Sequence, residues 1–443
     1  MYDPIRASDE VIARLRANHP SLIDLTTGRV ERLLAALGHP ERRLPPVIHV
    51  AGTNGKGSTV AYMRAIAEAA GLKVHVLTSP HLVRFAERIR VAGELISDAA
   101  LAALIAELEA ANAGQPISFF EITTVLALEA FARTPADLCL IEVGLGGRFD
   151  ATNIFDAPEL CVITPVDYDH LEMLGPELSK IAWEKAGIIK PGRPVVVARQ
   201  MDEGLAVIRA EAEQQGAPMT LMGEDADAWE ANGRLLVQIG ERLIDLPPPA
   251  LFGPHQFDNA GLAVIAMASL NHPRIDDDAL ARGVATADWP ARFQRLREGR
   301  LARMAAERGA DLWLDGGHNP HAGQALAQAI ARLTARDPRP VTLVVAMFAR
   351  KDAVGFFAPF AALEGPGRPQ VFTTTFDSPN AASAEEIAAA ARTAGLVAEP
   401  LPDVTEAVKR ALAAPGPAPH LLICGGLHFA GEVLAMDPET WPR

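Results

Sequence analysis

The sequence predicts an α/β protein of two domains, each built on a mostly parallel sheet. Its 443 residues exceed what one ordinary core organises, since a domain holds about 100–200 residues. Short apolar runs at 47–50, 74–78, 138–141, 160–164 and 194–198 alternate with segments of helical period, and the alternation resumes at 312–314, 341–345, 370–374 and 421–424. That rhythm is the signature of parallel strands joined by helices. Glycine-rich or polar clusters follow several of these runs, at the strand ends where open α/β sheets bind ligands.

The domains are expected at 1–288 and 289–443, with Asp288-Trp-Pro-Ala-Arg292 at the boundary, because proline disfavours an easy helical continuation. Between Met219 and Leu246 the pattern shifts to short β-like runs separated by turn residues, which predicts a small antiparallel side sheet on the first domain. Apolar residues make up 49% of the chain and charged residues 22%, the balance of a globular protein. A formal charge of −14 argues against a surface built for nucleic acid, so an anionic substrate must be met by a local cationic site. Cys139, Cys161 and Cys424 each lie in an apolar run and read as buried thiols. With no apolar leader pattern and no run of about 18 apolar residues, the expectation is a cytoplasmic enzyme with no membrane partner.

In chain order, two helices are expected within 8–38, joined by the polar stretch Ser21–Gly28. The strand Val47–Val50 then breaks into Gly52-Thr-Asn-Gly-Lys-Gly-Ser-Thr59 and a helix. Such a turn suits a triphosphate: glycines let backbone N–H groups close on phosphate oxygens, the helix N-terminus adds its dipole, Lys56 adds charge, and Ser58 or Thr59 meets Mg²⁺. The common P-loop spacing would place a glycine at Val50, so this loop is a shorter variant. The strand Val74–Thr78 ends at Ser79-Pro80. Helices are expected over Asp98–Asn112 and Thr123–Arg133, with Ile117-Ser-Phe-Phe-Glu121 between them as core or as a platform for a flat ligand. Leu138–Ile141 ends in Glu142, an oxygen ligand for a hard cation, before Gly144–Arg148. Asp167, Asp169 and His170 follow the next strand, and Lys185 lies near the end of a helix closed by Gly187. Ala260–Leu270 reads as a buried helix with Asn259 as its cap or as a nucleotide contact, and the second domain's first strand ends in Asp315-Gly-Gly-His-Asn-Pro320.

Taken together, Gly52–Ser58, Thr78–Leu82, Phe119–Glu121, Glu142–Arg148 with Asp150–Asn153, Glu184–Gly187 and Asp315–Pro320 resemble the folylpolyglutamate synthase/dihydrofolate synthase family of Mur-type ligases over nearly the whole chain. The resemblance implies a P-loop-type first domain and a Rossmann-like second one. It implies an ATP-dependent ligase that joins L-glutamate to the carboxylate of dihydropteroate, of a tetrahydrofolate polyglutamate, or of both, through an acyl phosphate. It assigns ATP binding to Gly55, Lys56, Gly57, Ser58, Asn259, Arg292, Asp315 and His318, and the catalytic groups to Lys56, His170, Lys185 and Arg292. Ser79, Glu142 and His170 match the magnesium residues, two ions are expected, and potassium is a further candidate cofactor. Lys185 is expected to be carbamylated.

The pterin would meet Leu25, Thr26 and Thr27, Ser118, Phe119, Phe120 and Glu121, and Phe149, Asp150 and Ala151, with Phe120 stacking on the ring and Asp150 accepting its N–H groups. A monomer whose domains close over the substrates is the family expectation. Ala291 stands where glycine is common before the arginine, Gly317 where alanine is common, and Ala346 replaces a usual strand-end glycine. The rivals are another Mur-type ligase, acting on a muramyl peptide or poly-amino acid, and a P-loop NTPase switch. The paired aromatics and the 25–27 segment favour pterin.

Overall fold

A computed structural model describes residues 12–19 and 26–442, which fall into two compact units. The first unit comprises 1–250 and 257–288, the second 251–256 and 289–443.

The first unit is built on an eight-stranded sheet of β1 (Val47–Ala51), β2 (Val74–Leu77), β3 (Ile89–Val91), β4 (Glu94–Leu95), β5 (Leu138–Glu142), β6 (Leu160–Ile163), β7 (Val195–Val197) and β8 (Met219–Leu221). The order is β4-β3-β2-β5-β1-β6-β7-β8. Strands β2, β5, β1, β6, β7 and β8 run parallel, while β3 and β4 form an antiparallel edge. β1 is buried along its length, as its apolar sequence requires of a central strand covered on both faces. The glycine loop that follows it therefore projects from the middle of the sheet.

Two apolar clusters cover one face. One joins Ile141 to the helices Gly28–Ala36, Asp98–Asn112 and Phe119–Ala132; the other joins Ala51 and Cys161 to Leu178–Ala186 and Asp202–Gln215. On the helix Lys56–Ala69, Ile66 meets Gly283 of Asp277–Thr286 so closely that a Cβ on Gly283 would lie 2.4 Å from the Ile66 Cα. A separate antiparallel sheet, ordered β11-β10-β9, consists of β9 (Ala226–Ala231), β10 (Arg234–Ile239) and β11 (Arg242–Leu246).

The second unit holds β12 (Gln294–Leu296), β13 (Asp311–Leu314), β14 (Val341–Val345), β15 (Gln370–Thr373), β16 (Ala398–Pro400) and β17 (His420–Cys424), ordered β12-β13-β17-β14-β15-β16. All pairings but that of β12 are parallel. The last strand inserts between β13 and β14, and Phe356, Phe357 and Phe360 anchor a core on one face. No helix among the described residues is long and apolar enough to cross a membrane.

Several elements depart from the sequence expectation. The helix expected from Thr123 starts at Phe119, because Ser118 and Glu121 form a capping box that pulls the paired aromatics into its first turn. Met219–Leu221 pairs in parallel with β7 and belongs to the main sheet, so the antiparallel sheet begins only at Ala226. Asn259 does not cap a helix: His255–Ser269 begins four residues earlier.

Candidate active site

The end of β1 is fixed by its neighbours before any ligand is considered. Gly52 packs so tightly on Thr164 that a Cβ would lie 1.9 Å from its hydroxyl. The Thr53 N–H donates to Pro165 O at 3.0 Å, and its hydroxyl exchanges bonds of 3.0 Å with the Asp167 carbonyl and N–H. Gly55 adopts φ 87°, a left-handed conformation that favours glycine, and a side chain there would strike Asn259 at 2.5 Å. The helix Lys56–Ala69 starts at once, with Gly57 and Ser58 buried in its first turn. The result is a turn of backbone N–H groups at a helix N-terminus, which is a ready anion site.

Two lysines converge on this turn. Lys56 Nζ and Lys185 Nζ each donate to the Gly52 carbonyl at 2.9 Å, and Lys56 also reaches Thr53 O at 3.3 Å. Lys185 is fully buried; desolvation first, then the nearby Lys56 charge, lowers its pKa to about 7. A substantial fraction of the side chain is thus neutral amine near neutral pH. Gly52, Lys56, Gly144, Asp169, His170 and Lys185 line one small cleft. Glu142, buried at the end of β5, pairs in register with Val50 of β1 and accepts from the Ser79 N–H at 3.3 Å. His170 follows Asp169, whose carboxylate accepts the His170 N–H at 2.8 Å. Ser79, Glu142 and His170 offer a hydroxyl, a carboxylate and an imidazole, of which the two oxygen groups suit a hard divalent cation. Asp169, for which no role is expected, also belongs to the cleft.

The loop after Glu142 carries the remaining expected contacts. The Phe120 ring lies directly on Gly144, where a Cβ would sit 2.2 Å from its tip. Gly147 meets Glu184 and Lys185 backbone at 2.6 and 3.0 Å from a notional Cβ, and Gly187 meets Arg148 at 2.3 Å, so glycines zip the loop to the Lys185 helix. Phe149 is exposed and sits 6.1 Å from the Trp183 ring, which Arg148 covers at 4.0 Å. Ala151 is buried in the apolar cluster. Thr27 bonds Glu31 at 2.6 Å on the helix Gly28–Ala36, Thr26 is half-buried just before it, and Leu25 lies outside the described residues.

Two carboxylates expected to face a pterin are engaged elsewhere. Asp150 is buried, and its oxygens accept from Leu145 N at 2.8 Å, Thr152 N at 3.0 Å and Thr152 Oγ1 at 2.5 Å, with Gly144 N as a further donor. These bonds use the acceptor directions of a carboxylate, so Asp150 holds the loop in shape. Glu121 accepts the Ser118 N–H at 2.7 Å and a forked contact from Arg29 at 2.8 to 3.1 Å. It is a cap and half of an ion pair. Arg29 was not singled out in the sequence, and its distance of 92 residues from Glu121 explains why. Phe119 is buried against Phe85 at 6.0 Å, which makes it core.

In the second unit, Ala291 and Phe293 both take left-handed backbone, at φ 55° and 43°, on either side of Arg292. Asp315 Oδ2 holds Phe293 N at 2.7 Å and Oδ1 holds Gly317 N at 2.6 Å, while Gly316 N bonds Ala291 O at 3.0 Å. Burial raises the Asp315 pKa and the Arg292 charge opposes that rise. The glycine common at position 291 is thereby explained, since alanine tolerates this backbone less well. His318 contacts Gly316 O at 3.1 Å. His255 of the same unit is half-buried, and its pKa is lowered to about 4 by desolvation and then by His321 and Arg292.

A phosphate loop, a paired lysine cluster and strand-end ligands define a nucleotide-dependent enzyme of the α/β class. The Mur ligase middle domain matches residues 50–267 and the Mur ligase glutamate ligase domain matches 299–427. A dihydrofolate synthase/folylpolyglutamate synthase of Bacillus subtilis is 39% identical over 68% of this chain and 71% of its own length. The Mycobacterium tuberculosis relative of that name is 32% identical over 96% of this chain and 93% of its own length. The solved structure of E. coli FolC in complex with DHPP and ADP covers 96% of each chain at 30% identity and a TM-score of 0.84. A bifunctional folylpolyglutamate synthase/dihydrofolate synthase with Mn, AMPPNP and L-glutamate bound covers 96% of this chain and 97% of its own at 32% identity and a TM-score of 0.82. The chain belongs to the dihydrofolate synthase/folylpolyglutamate synthase family of Mur ligases.

Proposed function

We propose that the protein ligates L-glutamate to dihydropteroate and to the glutamate tail of tetrahydrofolate, using ATP and two magnesium ions. The observation that carries the reading is the shared grip of Lys56 and Lys185 on the Gly52 carbonyl, beside the N-terminus of the helix Lys56–Ala69. The Lys56 cation and a helix end meet where a triphosphate would sit. The family relation and a relative with nucleotide analogue, manganese and glutamate bound support ATP, a divalent metal and glutamate as ligands. Potassium is a further candidate.

The acceptor carboxylate attacks the γ-phosphorus of ATP, the P–O bond to ADP breaks, and an acyl phosphate forms. The amino group of glutamate then attacks the activated carbonyl, loses a proton and expels phosphate. Lys56 and the loop N–H groups stabilise charge on the transferring phosphoryl group. Glu142, His170 and Ser79 would hold magnesium, which supplies charge neutralisation when bound. Arg292 and Asp315 serve the nucleotide from the second unit, together with His318, and Asn259 reaches it beside Gly55. Leu25, Thr26, Thr27, Phe120 and Phe149 are assigned to the acceptor.

Lys185 is assigned as a carbamate. Its amine attacks CO₂, a C–N bond forms and one proton leaves, which requires the neutral form; its pKa of about 7 makes that form abundant. The ATP requirement supports a cytoplasmic setting, and a monomer is the proposed assembly. Product mass spectra after incubation with either dihydropteroate or tetrahydrofolate, ATP and glutamate test the substrate range. Glutamylation of both acceptors is expected, and an inert dihydropteroate would remove the first synthase activity.

A further inference from the structure

A buried polar chain crosses from the phosphate-loop strand to the glycine loop. His49 is fully buried in β1, three residues before Gly52, and pairs in register with Ile141 of β5 and Cys161 of β6. Its side chain is covered by the 150–155 segment: Nε2 lies 2.9 Å from Thr152 Oγ1 and the ring meets Phe155 edge-on at 6.0 Å. The Thr152 hydroxyl has one proton and donates it to Asp150 Oδ1 at 2.5 Å. It must therefore accept from His49, which fixes the Nε2–H tautomer. The other ring nitrogen, Nδ1, is buried and has no hydrogen-bond partner among the described residues. Desolvation and, second, the Lys190 charge lower the pKa of His49 to about 3, so the ring stays neutral in use.

We propose that His49 is a positioning residue for the ligation: its Nε2–H, relayed through Thr152 to Asp150, fixes the Gly144–Leu145 turn against which Phe120 and the acceptor side of the site are set. Asp150 is the joint of this relay, because the carboxylate that receives the Thr152 hydroxyl also holds Leu145 N at 2.8 Å. Gly144 carries the Phe120 ring on its Cα. The phosphate loop is held independently by the Thr53 bonds to Pro165 and Asp167. Loss of the relay should thus loosen the acceptor side and spare ATP. A histidine retained for packing alone would be a poor choice, since its bare Nδ1 is a buried polar atom that leucine would not carry.

The inference rests on the acceptor assignment above, and its test separates the two. His49→Leu removes the donor at similar volume, while His49→Gln places an amide N–H near the position of Nε2. His49→Leu is expected to raise the dihydropteroate KM about tenfold, the equivalent of about 1.4 kcal/mol for one hydrogen bond, with the ATP KM within about twofold. His49→Gln should restore the KM to within about threefold of wild type. Hydrogen exchange at the Leu145 amide, read without any substrate, should quicken in His49→Leu and not in His49→Gln. Equal behaviour of the two variants, or Leu145 exchange unchanged in His49→Leu, overturns the relay. A wild-type protein that forms no ADP with dihydropteroate and glutamate overturns the acceptor assignment, and the Leu145 exchange then decides the relay unaided.

Discussion

Lys185 illustrates how burial sets chemistry at a single residue. An ammonium taken out of water beside Lys56 loses its proton more readily, and the amine that results is the form that reacts with CO₂. Incubation with ¹³C-bicarbonate should give a carbamate carbon signal in wild type that is absent from Lys185→Met; equal spectra would reject the modification. The same shift has a stability consequence. In CO₂-free buffer the folded lysine titrates at about 7, far below its ordinary value of 10.5, so between those values the unfolded chain binds more protons. Stability must rise with pH across that window, and level off below it where both states are protonated. The urea midpoint of wild type should gain on that of Lys185→Met from pH 7 to 9.5.

Helix termini and glycine contacts carry the argument at the scale of elements. The Ser118–Glu121 box starts a helix whose first turn presents Phe120 to Gly144, and the Arg29 fork ties that turn to the helix Gly28–Ala36. Glu121→Ala removes a cap and leaves Arg29 half-buried without its carboxylate; a loss of about 3 kcal/mol is expected in denaturant titration. Glu121→Gln should lose less, because an amide oxygen still caps. Gly144→Ala would drive a methyl into the Phe120 ring, and its acceptor KM should rise well above any change in ATP KM.

Ser118-Phe-Phe-Glu121 carries the Ser-x-x-Glu capping signature, while the apolar period on its own marks only the stretch 123–133. The phosphate loop and Glu142 were legible because each follows a strand in a short, recognisable pattern, whereas the role of Lys185 rests on the family resemblance alone. The Arg29–Glu121 pair and the Gly55–Asn259 contact were not legible, since tertiary packing alone brings those residues together, and the Asp150 bonds, though local, depend on the turn the loop adopts.

For the whole molecule, the formal charge of −14 coexists with Lys56 at the N-terminus of a helix, so affinity for anions is a property of the site and not of the surface. Strand alternation predicts both main sheets, while the short strands β3, β4, β12 and β16, with two or three residues each, carry no period. Light scattering should return the mass of one chain if the proposed monomer holds. The central claim is that ATP cleavage is coupled to amide formation. ADP release measured with dihydropteroate, glutamate, both or neither tests it most directly: the account predicts ADP only with both, one for each glutamyl bond in the product. ADP formed at the same rate without glutamate would contradict it.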